Sequence, residues 1–198
     1  MHSTLGNADR RRYSPSSAVL PGHCMSNQQE EFGANRLGAD RLGTAYHEAG
    51  HAVMAVLLGR PIEKVTISPA QLAAGGSRLG ACKIQKGQTK PTKDAVEDSV
   101  LILLAGMVAE SRVTGRYNQA GAAQDLMMVK ELLTAQRATT ENAFQKLAKR
   151  MVDKTEHLLS EPAARKAVKL VADELVENET ISGRAVKHSV QMAQQQTK

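Results

Sequence analysis

The sequence is poor in aromatic residues, cysteines and long apolar runs. Aromatic side chains make up 3% of the 198 residues, with no Trp and two Phe. Leu, Val, Ala, Ile and Met must therefore build the core, which predicts a mainly α domain. Two cysteines, Cys24 and Cys82, are too few for a disulfide framework and fit a reducing compartment.

No stretch of the sequence predicts a membrane span or a secretory leader. The longest apolar run, residues 100–109, is far shorter than the roughly 20 residues needed to cross a bilayer. The arginines near the N-terminus are not followed by the apolar region that a signal peptide requires. We therefore expect a soluble, cytoplasmic chain with no membrane span.

The formal net charge of +6 raises the question of a nucleic-acid partner. The basic residues are spread along the chain, and Arg10-Arg11-Arg12 is their only tight cluster. Nucleic-acid-binding domains usually gather basic residues on one face or in one run. The charge therefore indicates a solvated surface, and we expect no nucleic-acid partner.

Composition divides the chain near residue 40. Residues 1–40 are rich in Ser, Asn, Gly, Gln and Arg and show no sustained periodicity, which is typical of a disordered segment. We expect a disordered N-terminal tail there and one folded domain over residues 41–198. Met25 leaves open a later start of the chain.

Beyond residue 40 the pattern predicts helices and a small antiparallel β element. Thr44 is a suitable N-cap for a first helix that ends near Gly59. Strand-like stretches follow at 62–68 and 79–85, joined by the flexible run Gly75-Gly76-Ser77. Periodic apolar residues then predict five further helices, at about 93–113, 122–138, 140–159, 162–176 and 183–194.

The first helix carries the run His47-Glu48-Ala49-Gly50-His51. Histidines four residues apart project from one helix face, so both imidazoles can bind one zinc ion. Glu48 points away from that row and can act as the general base on a metal-activated water. Gly50 costs about 0.5–1 kcal/mol relative to Ala in a helix, which indicates close packing against a neighbour. The alternative interpretation is a surface helix with two histidines.

A catalytic zinc of this kind needs a third protein ligand and an open position for water. The remaining histidines lie in the tail or on late helices, so a carboxylate is expected. Asp125, near the start of a helix, and Glu110, late in the preceding one, are the two best placed. Either acid could instead cap a helix or lie solvated on the surface.

These residues, in their order and spacing, resemble the peptidase domain of FtsH-type ATP-dependent zinc metalloproteases. The resemblance covers about residues 42–186. It rests on five stretches of the sequence: Thr44–Val53, Lys64–Ile67, Leu104–Glu110, Gly121–Leu126 and Glu179–Gly183.

The resemblance implies a helical zinc-metallopeptidase domain with the β element beside the motif helix. It makes Asp125 the third zinc ligand, beside His47 and His51, and makes Glu110 a nearby acid outside the ligand set. FtsH proteases also carry membrane helices and an AAA ATPase module, neither of which is present in this sequence. Gln124 stands where the family usually has Asn.

We therefore expect a zinc-dependent endopeptidase that hydrolyses peptide bonds in unfolded or accessible polypeptides through a metal-activated water. A separate ATPase or a homo-oligomer is the further partner that the resemblance implies, since the family forms hexamers. The alternative is a non-proteolytic, zinc-containing peptide-binding or regulatory protein with the same fold.

Overall fold

The computed structural model describes residues 26–71, 77–78, 80–90, 92–136 and 140–197. Within these ranges the chain forms six helices: α1 (Ser26–Leu57), α2 (Ala95–Thr114), α3 (Ala123–Gln136), α4 (Glu141–Ser160), α5 (Pro162–Asn178) and α6 (Gly183–Gln195). It also forms five short strands: β1 (Ile62–Thr66), β2 (Ala70–Gln71), β3 (Ser77–Arg78), β4 (Ala81–Ile84) and β5 (Thr180–Ser182). The predicted mainly α fold with a small antiparallel sheet is confirmed.

Local signals explain why helices α2 to α6 begin and end within a few residues of their predicted bounds. The Asp94 side chain caps α2 by accepting hydrogen bonds from the backbone N–H groups of Val96 and Glu97. Gly115 ends α2 in the left-handed conformation, with φ of 73°. Pro162 occupies the first turn of α5, where its missing N–H costs nothing.

The first helix is longer than predicted, and Thr44 is not its N-cap. Helix α1 begins at Ser26, so residues 26–40, assigned to the disordered tail, are helical. Thr44 lies inside the helix, where its hydroxyl donates to the Asp40 carbonyl at 2.9 Å. The packed part of α1 has already nucleated the helix, so further residues are added without a new nucleation cost. Residues 1–25 lie outside the described residues, and the domain boundary near residue 40 stays a prediction.

The main sheet has three antiparallel strands in the order β4-β1-β5, one strand more than predicted. Central strand β1 pairs Val65 with Cys82 of β4 on one side and with Ile181 of β5 on the other. Strand β5 is only three residues long, too short for a periodic pattern, and its pairing with β1 spans more than a hundred residues. The predicted Gly75-Gly76 connection lies outside the described residues.

Helices α1 and α2 approach each other closely at Gly50. A Cβ atom built on Gly50 would lie 2.3 Å from the Ala105 carbonyl oxygen and 2.7 Å from the Ala109 Cβ. Contacts below 3.0 Å essentially never occur for real Cβ atoms, so no other residue fits there without movement. The predicted close packing at Gly50 is confirmed.

Helix α2 lies between two apolar clusters, which explains its long apolar run. One cluster joins α2 to α1, α5, α6 and the main sheet, and the other joins α2 to α3 and α4. A helix that is apolar on several faces is buried between neighbours. Across the described ranges, none of the helices combines the length and hydropathy that crossing a bilayer would require.

Candidate metal centre

The two motif histidines lie side by side on the buried face of α1. His47 and His51 are 9% and 6% exposed. Their ring centroids are 4.7 Å apart and the ring planes meet at 79°. The alternative of a surface helix with two solvated histidines is therefore wrong, because both rings belong to the interior.

Asp125, in the first turn of α3, meets both rings although it lies 78 residues after His47. Its Oδ2 atom is 3.1 Å from His47 Nε2 and 3.2 Å from His51 Nε2. The three side chains form a group whose potential ligand atoms all lie within 4.8 Å of one another. The structure thus brings together the three residues predicted to bind the metal.

The other nitrogen of each ring contacts an acceptor on α2. His47 Nδ1 is 3.0 Å from Glu110 Oε2, and His51 Nδ1 is 2.7 Å from the Ile102 carbonyl oxygen. A carbonyl oxygen can only accept, so His51 Nδ1 carries the proton. Nδ1 therefore faces an acceptor in both rings, and Nε2 of each ring is the atom that faces Asp125. Such outer contacts orient histidine ligands at metal sites.

Glu110 lies beside this group, not within it. Glu110 is 7% exposed, and its carboxylate accepts from His47 through one oxygen and from Asn118 Nδ2, at 2.9 Å, through the other. Asn118 in turn accepts from the Gly121 N–H at 3.0 Å through its own side-chain oxygen. Asn118 therefore links Glu110 to the loop that leads into α3. The sequence reading missed Asn118, since a loop asparagine has no periodic signal.

Glu48 is 4% exposed and packs against Gly80, which precedes β4. A Cβ atom at Gly80 would lie 2.6 Å from Glu48 Oε1 and 2.9 Å from its Cδ. The absence of a side chain at position 80 therefore leaves the room that the Glu48 carboxylate occupies. Sequence reasoning placed Gly80 in a strand and gave it no role at the site.

Gly106, on α2, provides the same kind of space for the two imidazoles. A Cβ atom there would lie 2.5 Å from His51 Nε2 and 2.6 Å from His47 Nε2. Those nitrogens are the atoms that face Asp125, so Gly106 keeps clear the place where the donors converge. A glycine inside an apolar helix costs stability and usually has a packing reason, which is the signal that could have identified it.

The carboxylates and the histidine ring perturb one another's protonation. Burial would lower the pKa of His47, but hydrogen bonds to Asp125 and Glu110 outweigh it and raise that pKa to about 9. Burial would raise the pKa of Asp125, yet its hydrogen bonds to His47 and His51 hold it well below its usual range. The Glu110 pKa is also lowered, as contacts with His47 and Asn118 exceed the effect of burial.

The group has the composition and dimensions of a zinc site. Two ligand atoms bound to a tetrahedral zinc at about 2.05 Å are about 3.3 Å apart. The contacts of Asp125 Oδ2 with the two Nε2 atoms, 3.1 and 3.2 Å, are close to that separation. Two imidazoles and one carboxylate suit zinc and leave a fourth position open. The residues present therefore fit the metal that the sequence predicts.

A cavity of about 370 Å³ adjoins the group. His51 and Asp125 lie on one side of it, and Ile84, Ile102 and Leu103 are among its apolar lining residues. Gln124 also borders this cavity. The cavity gives a ligand with an apolar side chain a place next to the metal-binding group.

A helical domain in which one helix supplies two histidines and a glutamate, and a later helix supplies an aspartate, defines a class of metallopeptidase domain. Residues 37–136, half of the chain, match the sequence profile of Peptidase family M41. The chain belongs to this peptidase family. The predicted resemblance to FtsH-type peptidase domains is thereby confirmed.

Individual relatives agree with this assignment. The chain is 34% identical over 114 residues to the ATP-dependent zinc metalloprotease FtsH 1 of Alkaliphilus metalliredigens. The matched region covers 56% of this chain and 19% of that protein. It is 40% identical over 97 residues to the FtsH of Lachnoclostridium phytofermentans, over 48% of this chain and 16% of that protein. The chain thus spans less than a fifth of the length of these two relatives.

Proposed function

We propose that the protein is a zinc-dependent endopeptidase that hydrolyses peptide bonds in unfolded or accessible polypeptides. The observation that carries the proposal is the convergence of His47 Nε2, His51 Nε2 and Asp125 Oδ2 in a buried group next to Glu48 on the same helix. Membership in a peptidase family and similarity to relatives named as zinc metalloproteases support it.

In this proposal His47, His51 and Asp125 hold the zinc. The bound metal would polarise the scissile carbonyl and lower the pKa of a coordinated water to about 7. Glu110 and the Ile102 carbonyl accept the Nδ1 protons and so hold the two rings in the orientation that ligation needs. The lowered Asp125 pKa keeps its carboxylate ionised at neutral pH, as a metal ligand must be.

Glu48 is proposed as the general base and then the general acid. It takes a proton from the attacking water and passes it to the nitrogen of the leaving amine as the C–N bond breaks. Its position directly after His47, on a neighbouring face of α1, and its burial against Gly80 support this role. The cavity beside His51 supports binding of a polypeptide, because it can take an apolar substrate side chain.

The test compares the zinc-loaded wild type with Glu48→Gln on a quenched peptide library and an unfolded protein. We expect chelator-sensitive cleavage by the wild type and a loss of at least about a hundredfold in the variant, with zinc retained. Glu131→Gln, at an exposed position of α3, is the matched control and should cleave normally. Equal activity in Glu48→Gln would refute the mechanism, and bound zinc without any cleavage would favour the non-proteolytic alternative.

The delivery of substrates is a further part of the proposal. The relatives are named as ATP-dependent, so we propose that a separate ATPase or a homo-oligomer of this chain presents polypeptides to the site. A folded substrate should then resist cleavage by the chain alone and be cleaved when an ATPase partner and ATP are added. Light scattering of the purified chain measures its oligomeric state. A cytoplasmic location stays a prediction.

A further inference from the structure

A second cavity, of about 550 Å³, lies at the far end of α1. Its walls come from the end of α1, the start of β1, the loop before α2 and nearly the full length of α6. Apolar side chains line one part, among them Leu57, Ile62 and Val190. The volume falls in the range of about 300–1,000 Å³ that is usual for ligand-binding clefts.

The polar part of the lining combines neutral side chains with four cations. Arg60, Lys90, Arg184 and Lys187 all border the cavity, and none of its lining residues is an Asp or Glu. Lys90 donates to the Leu57 carbonyl at 3.2 Å, so one cation is already engaged at the end of α1. Within the described part of the chain, Arg184 and Lys187 have no carboxylate within ion-pair distance. The cavity therefore holds several positive charges that the described residues do not neutralise.

Two further features make the cavity favourable to an anion. Arg60 borders the cavity, and its Nε atom is buried with no hydrogen-bond partner among the described residues, so its guanidinium charge is not offset there by an acceptor. Gly183 and Arg184 form the first turn of α6, where the helix dipole is positive. The helix N-terminus and the basic side chains thus add to the same positive potential in the cavity.

We propose that this cavity, the α6 cavity, is a docking site for an acidic segment of the polypeptide substrate, one that carries an apolar residue among its carboxylates. The carboxylates would meet Arg60, Arg184 and Lys187, and the apolar side chain would contact Leu57 and Ile62. This identification of the occupant rests on the proposed peptidase function, whereas binding of an acidic peptide does not require catalysis.

The α6 cavity and the cavity beside the metal centre share α1 and the main sheet as walls. Ile62, in the α6 cavity, pairs across the sheet with Ile84, which lines the cavity beside His51. Leu57 is six residues after His51 on α1, or about 9 Å along the helix axis. An extended chain covers that distance in about three residues. In the proposed complex, the acidic segment of the substrate therefore lies a few residues from the scissile bond.

The lining argues against other anions. None of the residues that line the α6 cavity is aromatic, whereas single-stranded nucleic acid is usually held by stacking its bases on aromatic side chains. A free phosphate or amino acid would leave the apolar wall and most of the volume unfilled. A peptide that combines carboxylates with an apolar side chain matches both parts of the lining.

The first experiment measures peptide binding to the zinc-loaded Glu48→Gln variant. It uses a short labelled peptide of alternating Glu and Leu and a second peptide in which every Glu is replaced by Gln. We expect the acidic peptide to bind about tenfold more tightly, and this preference to vanish when Arg184→Glu and Lys187→Glu are combined. The control combines Lys146→Glu and Arg150→Glu on exposed positions of α4, which changes the net charge equally. That control should keep the preference.

Kinetics on the active enzyme give the second measurement. Cleavable versions of the two peptides should differ mainly in KM, with the lower value for the acidic one, and the reversal at Arg184 and Lys187 should remove the difference while leaving kcat unchanged. Equal binding of both peptides, or equal loss in the α4 control, would overturn the docking site. Stronger displacement by a single-stranded oligonucleotide or by inorganic phosphate would also overturn it.

The two proposals fail in distinguishable ways. Preferential binding of the acidic peptide without cleavage by any zinc-loaded variant would contradict the peptidase function and leave the α6 cavity as a peptide-binding site. Cleavage of both peptides with the same KM and the same affinity would keep the peptidase function and remove the docking site.

Discussion

Replacing Gly106 by Ala tests the geometry of the metal centre directly. The added Cβ would lie 2.5 Å from His51 Nε2 and 2.6 Å from His47 Nε2. Favourable contacts between such atoms begin near 3.5 Å, so each ring would have to retreat by about 1 Å. Zinc–nitrogen distances tolerate only about 0.2 Å of change, which is far less. We therefore expect Gly106→Ala to weaken zinc binding by at least about a hundredfold.

The same substitution should not unfold the chain. Ala is favoured over Gly inside a helix by about 0.5–1 kcal/mol, which offsets part of the cost of moving the rings. Competition with a chromophoric chelator measures the zinc affinity, and circular dichroism follows the thermal unfolding of the metal-free protein. Gly43→Ala is the matched control, since its Cβ would make only ordinary contacts, the nearest at 3.6 Å from Glu110 Oε1.

The outcomes separate the explanations. Weak zinc binding in Gly106→Ala with a folded metal-free state, and normal binding in Gly43→Ala, would support the argument. Full zinc affinity in Gly106→Ala would refute the reasoning that the space beside Gly106 is needed by the two Nε2 atoms. Loss of the metal-free fold would also count against it, because the helix would then have failed to tolerate the change that propensity favours.

Two other predictions concern the groups around the rings. Glu110→Gln should weaken zinc binding by about tenfold without loss of fold, because the neutral amide is a poorer acceptor for His47 Nδ1–H. Its NH2 group would also face the Asn118 NH2 group, which is itself a donor, if it replaced the oxygen that now accepts from Asn118. The same chelator competition measures the zinc affinity, and an unchanged affinity would exclude the orienting role of Glu110. The His47 pKa is raised from 6.5 to about 9, so its contribution to the stability of the metal-free protein is complete below pH 6.5 and is lost as pH rises through about 9. Thermal unfolding of the metal-free chain should therefore show a falling melting temperature over that interval, and His47→Gln, which does not titrate there, should lack this component.

Local pattern determined most of the secondary structure. Helices α2 to α6 follow apolar residues at helical spacing, and side-chain caps or glycine at their ends set their bounds. The N-terminal half of α1 was missed because its sequence shows no sustained apolar periodicity, and the helix there continues from the part that packs in the core. Strand β5 was missed because three residues are too few for a pattern, and only pairing with distant β1 makes them a strand.

The helix period alone was enough to place His47 and His51 together, because residues four apart lie on one face of any α-helix. The sequence alone left Asp125 and Glu110 as equal candidates, and the resemblance decided between them. Folding brings them to opposite sides of His47, Asp125 at Nε2 and Glu110 at Nδ1. That difference depends on how α3 and α2 pack against α1, which no local spacing encodes.

The space around the donors was also decided by the tertiary structure. Gly80 and Gly106 matter because the Glu48 carboxylate and the imidazole nitrogens lie where their Cβ atoms would be. In the sequence each is one of fifteen glycines. Residue types and helix spacing thus determined which chemical groups the site would contain, whereas the approach of separate backbones determined their separation, their outer contacts and the room left between them.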